Sequence, residues 1–307
     1  MGIRSASRIH VASLAIALVA TACQGSDPLP RTGGSAPSDS IAALRGGATQ
    51  VSLLTAQSSL PLGVSLFTFG LVTSDGNLIT GGSPQVFVAR DENSPALGPF
   101  PATFHEFTAF ERFPNEAPVT PLTGFYAAEV DLSETGNWLF AGVARDESTN
   151  NVGTSFLPVT ESLPGQVGTE ALSVPSPVAT TDQARREICT REPPDPMHSI
   201  SLDEALANGK PTVVNFGTPA LCTSRMCGPV VDEQLAVYED VGADRANFIH
   251  VEIYPQHDQS RPAPAFTAWG FTSEPITLVI DPDGIIRARF EGPVTADLIE
   301  GALTPLL

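Results

Sequence analysis

One stretch constrains this chain more than any other. Residues 213–233 read Val-Val-Asn-Phe-Gly-Thr-Pro-Ala-Leu-Cys-Thr-Ser-Arg-Met-Cys-Gly-Pro-Val-Val-Asp-Glu. A β-branched apolar run ends in Phe216, a short loop carries Cys222 and Cys227, and Gly228-Pro229 opens an amphipathic run. The order is strand, loop, helix, with thiols at the junction. Pro229 suits the first helical position, where a missing N–H costs no hydrogen bond. Asp232 and Glu233 suit the positive end of the helix macrodipole. A cysteine just before a helix start is where a thiolate is stabilised. Two residues five apart in one regular helix stand about 140° apart around its axis, so the sulfurs meet only if Cys222 lies in the loop. The pattern points to thiol redox chemistry; two inert structural cysteines are the plain alternative.

The remaining composition narrows the setting. The chain of 307 residues is long enough for two domains, and 42% hydrophobic with 16% charged residues describes a folded protein. Its net charge is −18 and Lys210 is its only lysine, so a basic nucleic-acid-binding face is excluded as a reading. Arg4 and Arg8 precede an apolar run at 11–20 that is too short for a typical spanning helix and ends in Ala20-Thr21-Ala22-Cys23. Small residues before a cysteine resemble the bacterial lipobox. That resemblance implies a signal peptide at 1–22, lipid attachment at Cys23 and an extracytoplasmic protein anchored to the membrane of a bacterial cell envelope. With Cys23 lipidated, Cys189, Cys222 and Cys227 remain, an odd number in a compartment that permits disulfides. Cys189 is then a possible third thiol, or a small buried hydrophobe.

Residues 23–47 are rich in Gly, Ser, Pro and Asp and read as a flexible tether. From 48 to 173 the hydrophobic period is two. Strands are expected at 64–71, 85–88, 102–107, 125–130 and 138–143, separated by turns such as Ser74-Asp75-Gly76-Asn77 and Glu134-Thr135-Gly136-Asn137. This predicts an all-β sandwich with Tyr126 and Trp138 in its core. The segment from Gly124 to Phe140 resembles the last hairpin of exported immunoglobulin-like domains of the YtkA/FixH type. The half carries one histidine, His105, and no cysteine, so no catalytic group is expected in it. Residues 174–198 form a linker and lead-in segment, and Pro193, Pro194 and Pro196 exclude a helix at its end.

The C-terminal domain, 199–307, alternates. A Ser201-Leu202-Asp203-Glu204 capping box opens a short helix ending near Asn208-Gly209. Strands are expected at 211–217, 247–254, 276–280 and 285–290, and helices at 229–240, 264–269 and 295–303, with a turn at Asp281-Pro282-Asp283-Gly284. The order β-α-β-α-β-β-α is that of an α/β thioredoxin-like fold. Lys210-Pro211-Thr212-Val213-Val214-Asn215-Phe216 and Glu274-Pro275-Ile276-Thr277-Leu278-Val279-Ile280-Asp281-Pro282-Asp283-Gly284 resemble the active-site strand and the proline-led hairpin of exported, TlpA-like members of that family. The resemblance implies that Pro275 is cis and packs beside the redox cysteines. The chain departs from the family's Cys-x-x-Cys: Cys227-Gly228-Pro229 matches its first three positions, but Val230 stands where the resolving cysteine would be.

The reading is therefore a membrane-tethered thiol–disulfide oxidoreductase using Cys222 and Cys227. Pro275 shapes the groove and Arg225 helps lower a thiol pKa. It calls for no cofactor, and its partner is a disulfide-bearing exported protein or a redox protein. Three alternatives stay open. Two thiols suit Cu(I) in a Sco-like copper carrier, with His257 the better of the two downstream histidines as third ligand. Pro219, Thr223 or Ser224, and Cys227 resemble, with a spacing one residue off, the peroxiredoxin loop of a thiol peroxidase. Val230 in the resolving position fits a binding module without catalysis.

Overall fold

The computed structural model describes residues 38–80, 84–113, 123–145 and 149–307. Cys23 and the expected signal peptide lie outside the described residues, as does most of the expected tether. Residues 36–307 form one compact unit.

Its first half is built from α1 (Ile41–Arg45), β1 (Thr49–Leu54), β2 (Leu60–Pro61), β3 (Gly63–Val72), β4 (Gln85–Ala89), β5 (Leu97–Glu106), α2 (Ala109–Arg112), β6 (Gly124–Leu132), β7 (Gly136–Arg145) and β8 (Asn150–Thr160). The strands run in the order β1-β3-β6-β5-β4-β7-β8-β2, and β1 also pairs with β8. Two strands change partners along their length. In β1, 49–52 run parallel to β8 and 52–54 antiparallel to β3. In β5, 97–101 pair with β4 and 102–106 with β6. The expected two layers are thus joined along both sides, which leaves few free edges to attract another chain. Between them Phe67, Phe69, Tyr126, Trp138 and Phe140 are buried in one apolar core. Tyr126 and Trp138 are core residues, and Trp138 Nε1 donates to the Glu134 carbonyl at 2.9 Å. The stretch read as tether ends early, because Ser40 caps α1 through a bond from Ala43 N and Ile41 is buried against Ala89 and Leu139.

The second half contains α3 (Asp182–Ile188), α4 (Leu202–Leu206), β9 (Thr212–Gly217), α5 (Cys227–Val241), β10 (Asn247–Glu252), α6 (Pro264–Trp269), β11 (Ile276–Ile280), β12 (Ile286–Glu291) and α7 (Ala296–Leu303). Its four strands run in the order β10-β9-β11-β12. β9 and β10 are parallel, with Thr212 opposite Asn247. β11 is antiparallel to β9 and to β12. Every residue of β9 is buried, as the continuous apolar run requires of a central strand covered on both faces. α6 ends at Gly270 in the left-handed conformation (φ 72°), a position that favours glycine.

Three local expectations are corrected. α5 starts at Cys227, so Pro229 is its third residue, and Asp232 and Glu233 lie in the second turn, buried. They serve other elements rather than their own helix dipole. Asp232 pairs with Arg191 at 2.7 Å. Glu233 accepts from backbone amides of the neighbouring elements. The Ser201 capping box is not formed: Ser201 Oγ bonds the Asp203 carboxylate and accepts from Ser176 N. Residues 174–198, expected as linker, contain α3 and bury Cys189, Asp195, Met197 and His198.

Candidate functional site

The site is built where β9 ends. Gly217 closes the strand, and a Cβ there would lie only 2.8 Å from Asn215 Oδ1, so the tight fit beside the Asn215 side chain favours glycine, while Cys227 Cβ would stand at ordinary contact, 3.5 Å away. The loop then folds on itself. Cys222 N donates to the Thr218 carbonyl at 3.0 Å, and Arg225 N donates to the Cys222 carbonyl at 3.2 Å. Two turns in sequence carry Cys222 back over the first turn of α5, so that Cys222 stands outside the helix and Cys227 inside it.

The structure brings Cys222 and Cys227 together as free thiols. Their sulfurs and a carboxylate oxygen of Glu274 all lie within 4.8 Å of one another. The Glu274–Pro275 peptide is cis, and Pro275 Cβ lies 3.7 Å from the position a Gly217 Cβ would take, against the strand end that Cys227 also touches.

The two thiols differ sharply. Cys222 is 8% exposed and Cys227 fully buried. The Cys227 thiol donates to the Cys222 sulfur; against the cost of burial, the Ser224 hydroxyl and the backbone N–H groups of Cys227 and Met226 add to it, and the Cys222 pKa is lowered to about 5. Ser224 Oγ stands 3.1 Å from that sulfur. These N–H groups open α5, so Cys222 uses the positive end of the helix that the sequence reading gave to Cys227. Burial, and then the adjacent Cys222, push the Cys227 thiol far above its ordinary range. Burial, and then the Cys222 charge, raise the Glu274 carboxyl to about 7, and its Oε2 is buried without a hydrogen-bond partner.

Glu274 is the group that sequence reasoning missed. Its signal was present, since the residue before a proline that packs on two cysteines is bound to lie near them. Arg225 departs from expectation. It is exposed, in the left-handed region (φ 60°), and is not among the groups that lower the Cys222 pKa. Cys189 stands in a separate buried cluster with Asp195, His198 and His250. His257 ends a short turn at Pro255–His257, and its side chain is outside the described residues. His105, the histidine of the first half, lies 3.1 Å from Asp297 and far in chemistry from either thiol cluster.

No family model matches the chain, and no curated protein matches it. Solved structures share parts of it. A thiol:disulfide interchange protein of the thioredoxin family from Chlorobium tepidum TLS is similar at 17% identity, covering 45% of this chain and 99% of that one, with a TM-score of 0.28. The filamin domain of Lin-41 is similar at 13% identity over 38% of this chain and 96% of that one, TM-score 0.22. Titin domain M7 is similar at 11% identity over 37% and 96%, TM-score 0.18. TM-scores this low add nothing to what strand order and side-chain geometry establish.

Proposed function

We propose that this chain is a thiol–disulfide oxidoreductase whose C-terminal half is a TlpA-like thioredoxin domain and whose nucleophile is Cys222. One observation carries the reading. Cys222, Cys227 and Glu274 form a single cluster at the start of α5 in which one thiol is held as thiolate, the other is kept protonated, and a carboxyl near neutrality stands beside both.

The chemistry follows from that division. The Cys222 thiolate attacks a substrate disulfide, forming a mixed disulfide and releasing one substrate thiolate. Cys227 gives its proton to the Glu274 carboxylate and attacks the Cys222 sulfur. The second substrate thiolate leaves, and the Cys222–Cys227 disulfide remains. The substrate gains two electrons and the protein loses two; run backwards, the same steps oxidise a substrate dithiol. The buried Cys227 is unsuited to be a peroxidatic thiolate, which argues against the peroxidase alternative. Glu274 as third donor is a hard oxygen beside two soft sulfurs, which suits Cu(I) poorly. The immunoglobulin-like first half, the lipid anchor at Cys23 and a site of action in the bacterial cell envelope, on a disulfide-bearing exported protein, belong to the same proposal.

The test is capture of the intermediate. Cys227→Ser incubated with oxidised glutathione should accumulate a mixed disulfide at Cys222, seen by intact mass and peptide mapping, while the wild type resolves it. A Cys227→Ser protein that stays unmodified at Cys222 would overturn the assignment.

A further inference from the structure

The second cluster lies outside the redox site. It joins four side chains from two stretches of chain: Cys189, Asp195 and His198 from the segment before α4, and His250 from β10. All four are buried, none more than 3% exposed. One potential donor atom from each lies within 4.8 Å of all the others. The individual separations are closer. Cys189 Sγ is 3.3 Å from Asp195 Oδ2 and 3.8 Å from His250 Nδ1; His250 Nδ1 is 2.8 Å from Asp195 Oδ2; His198 Nε2 is 3.5 Å from Asp195 Oδ1. Donors around a tetrahedral zinc ion, at bond lengths of about 2.0–2.3 Å, stand roughly 3.3–3.7 Å apart; the 3.3 and 3.5 Å separations fall in that range, and the 2.8 Å His250–Asp195 contact would open by about half an ångström on metal binding.

We infer that Cys189, Asp195, His198 and His250 form a structural site for a divalent transition metal, Zn²⁺ first. Three features support it. The donor set is one thiolate, two imidazoles and one carboxylate, the mixture that four-coordinate Zn²⁺ accepts. His250 Nε2 is 3.2 Å from the Gly217 carbonyl. Here Nδ1–H donates to Asp195 Oδ2 at 2.8 Å; on metal binding that proton would leave, freeing the Nδ1 lone pair, while Nε2–H stays on the Gly217 carbonyl as the outer hydrogen bond that orients metal-binding histidines. His198 Nε2 is buried and has no hydrogen-bond partner. Its contact with Asp195 Oδ1, 3.5 Å, is long for a hydrogen bond, and a metal ion would satisfy the nitrogen more fully. Complete burial of all four donors makes the site closed, so its role is structural rather than catalytic. It would pin the segment 189–198 to β10 and to Gly217, the residue against which Cys227 packs.

The inference is independent of the redox reading, and one experiment separates the two. Full-length chain is stripped with chelator under a non-thiol reductant and titrated with Co²⁺ and, separately, Zn²⁺. The expected result is one equivalent of Co²⁺ bound with a thiolate-to-cobalt charge-transfer band, and a Tm that rises with Zn²⁺. Cys222→Ser/Cys227→Ser should keep the band. Cys189→Ser should lose it, and His198→Gln should weaken binding at least about tenfold. His198→Gln keeps a polar side chain beside Asp195, so it remains informative if Cys189→Ser does not fold. Absence of uptake by the wild type, a band that vanishes in Cys222→Ser/Cys227→Ser, or binding indifferent to His198→Gln would each overturn the site.

Discussion

Glu233 accepts a hydrogen bond from Ala109 N at 2.9 Å, although Ala109 belongs to the β-rich half and Glu233 to the helix that carries Cys227. The same oxygen takes Thr108 N at 2.7 Å, and the other oxygen takes Ala296 N at 2.8 Å. Ala109 and Ala296 are the first residues of α2 and α7, so one buried carboxylate satisfies orphan amides at two helix starts. Glu291 does similar service, accepting from Ser58 N, Ser58 Oγ and Ser273 Oγ. Removing Glu233 leaves three amides short of an acceptor. Charged hydrogen bonds contribute about 1.5–3 kcal/mol each and are not additive. Glu233→Ala should therefore cost about 3 kcal/mol and lower Tm by roughly 5–10 °C in a chain of this size. A shift within 1–2 °C of wild type by calorimetry would show that water replaces the carboxylate freely.

The division between the thiols is measurable by alkylation. An ordinary cysteine titrates near 8.5. Cys222, held at about 5 by Cys227, Ser224 and the helix amides, should react with iodoacetamide at a rate that is half-maximal near pH 5 and flat from pH 7 to 9. Cys227 should stay unmodified until the protein unfolds. Cys227→Ala removes the first of those donors and Ser224→Ala another, so each should move the half-maximal pH upward, Cys227→Ala the further. Arg225→Ala should leave the profile unchanged, since the guanidinium is exposed and no part of that network. Peptide-resolved mass spectrometry across the pH series decides all four.

Much of this arrangement was legible in the residues. The second half was readable because its strands are continuous apolar runs with unambiguous punctuation: α6 and β11 fall at the expected residues, Gly270 stops α6 in the left-handed conformation, and Thr295 stands at the start of α7, though its hydroxyl bonds Asp297 instead of capping the helix. The first half was harder. β3 and β4 alternate, but β6 and β7 are buried over runs of five and seven residues, β1 has a single buried residue, Leu53, and change of partner midway defeats a period-two reading. The site was legible in its cysteines and Pro275, not in its polarity. Which thiol receives the helix amides depends on where α5 begins, and Pro229 at the third rather than the first position moves that point back to Cys227, which puts Cys227 inside the helix and leaves the opening amides to Cys222. The buried cluster was the least visible. Cys189, Asp195 and His198 lie within ten residues, but nothing in the sequence signals that His250 joins them; its backbone N–H donates to the Met197 carbonyl at 2.8 Å, which sets β10 beside that segment.

Glu274 should leave a mark on stability against pH. Its folded pKa near 7 lies above the unfolded value near 4.5, so the folded state holds that proton more tightly, and stability falls as pH rises between the two. Cys222 works in the other sense. Its folded pKa near 5 lies below the ordinary value near 8.5, so reduced protein gains stability as pH rises from about 5 to 8.5 and has lost that gain once pH falls to about 5. Between pH 5 and 7 the two oppose each other. Glu274→Gln removes the first, so the reduced variant should show a steeper gain in Tm over that interval than wild type. Equal slopes would mean that Glu274 is already ionised beside the thiolate.

The same thiolate sets the redox poise. Whatever stabilises the dithiol form relative to the disulfide makes the disulfide a stronger oxidant. Formation of the Cys222–Cys227 bond removes the Cys222 charge and abandons its hydrogen bonds from Cys227, Ser224 and the amides that open α5. The oxidised protein should therefore melt below the reduced one, and its potential against glutathione should lie above about −200 mV, among oxidising rather than structural disulfides. Ser224→Ala weakens the thiolate network without touching either sulfur, and should lower the potential and narrow the gap in Tm together. An oxidised form that melts above the reduced one, with a potential below about −300 mV, would mark the pair as a structural bond and remove the basis for dithiol exchange at this site.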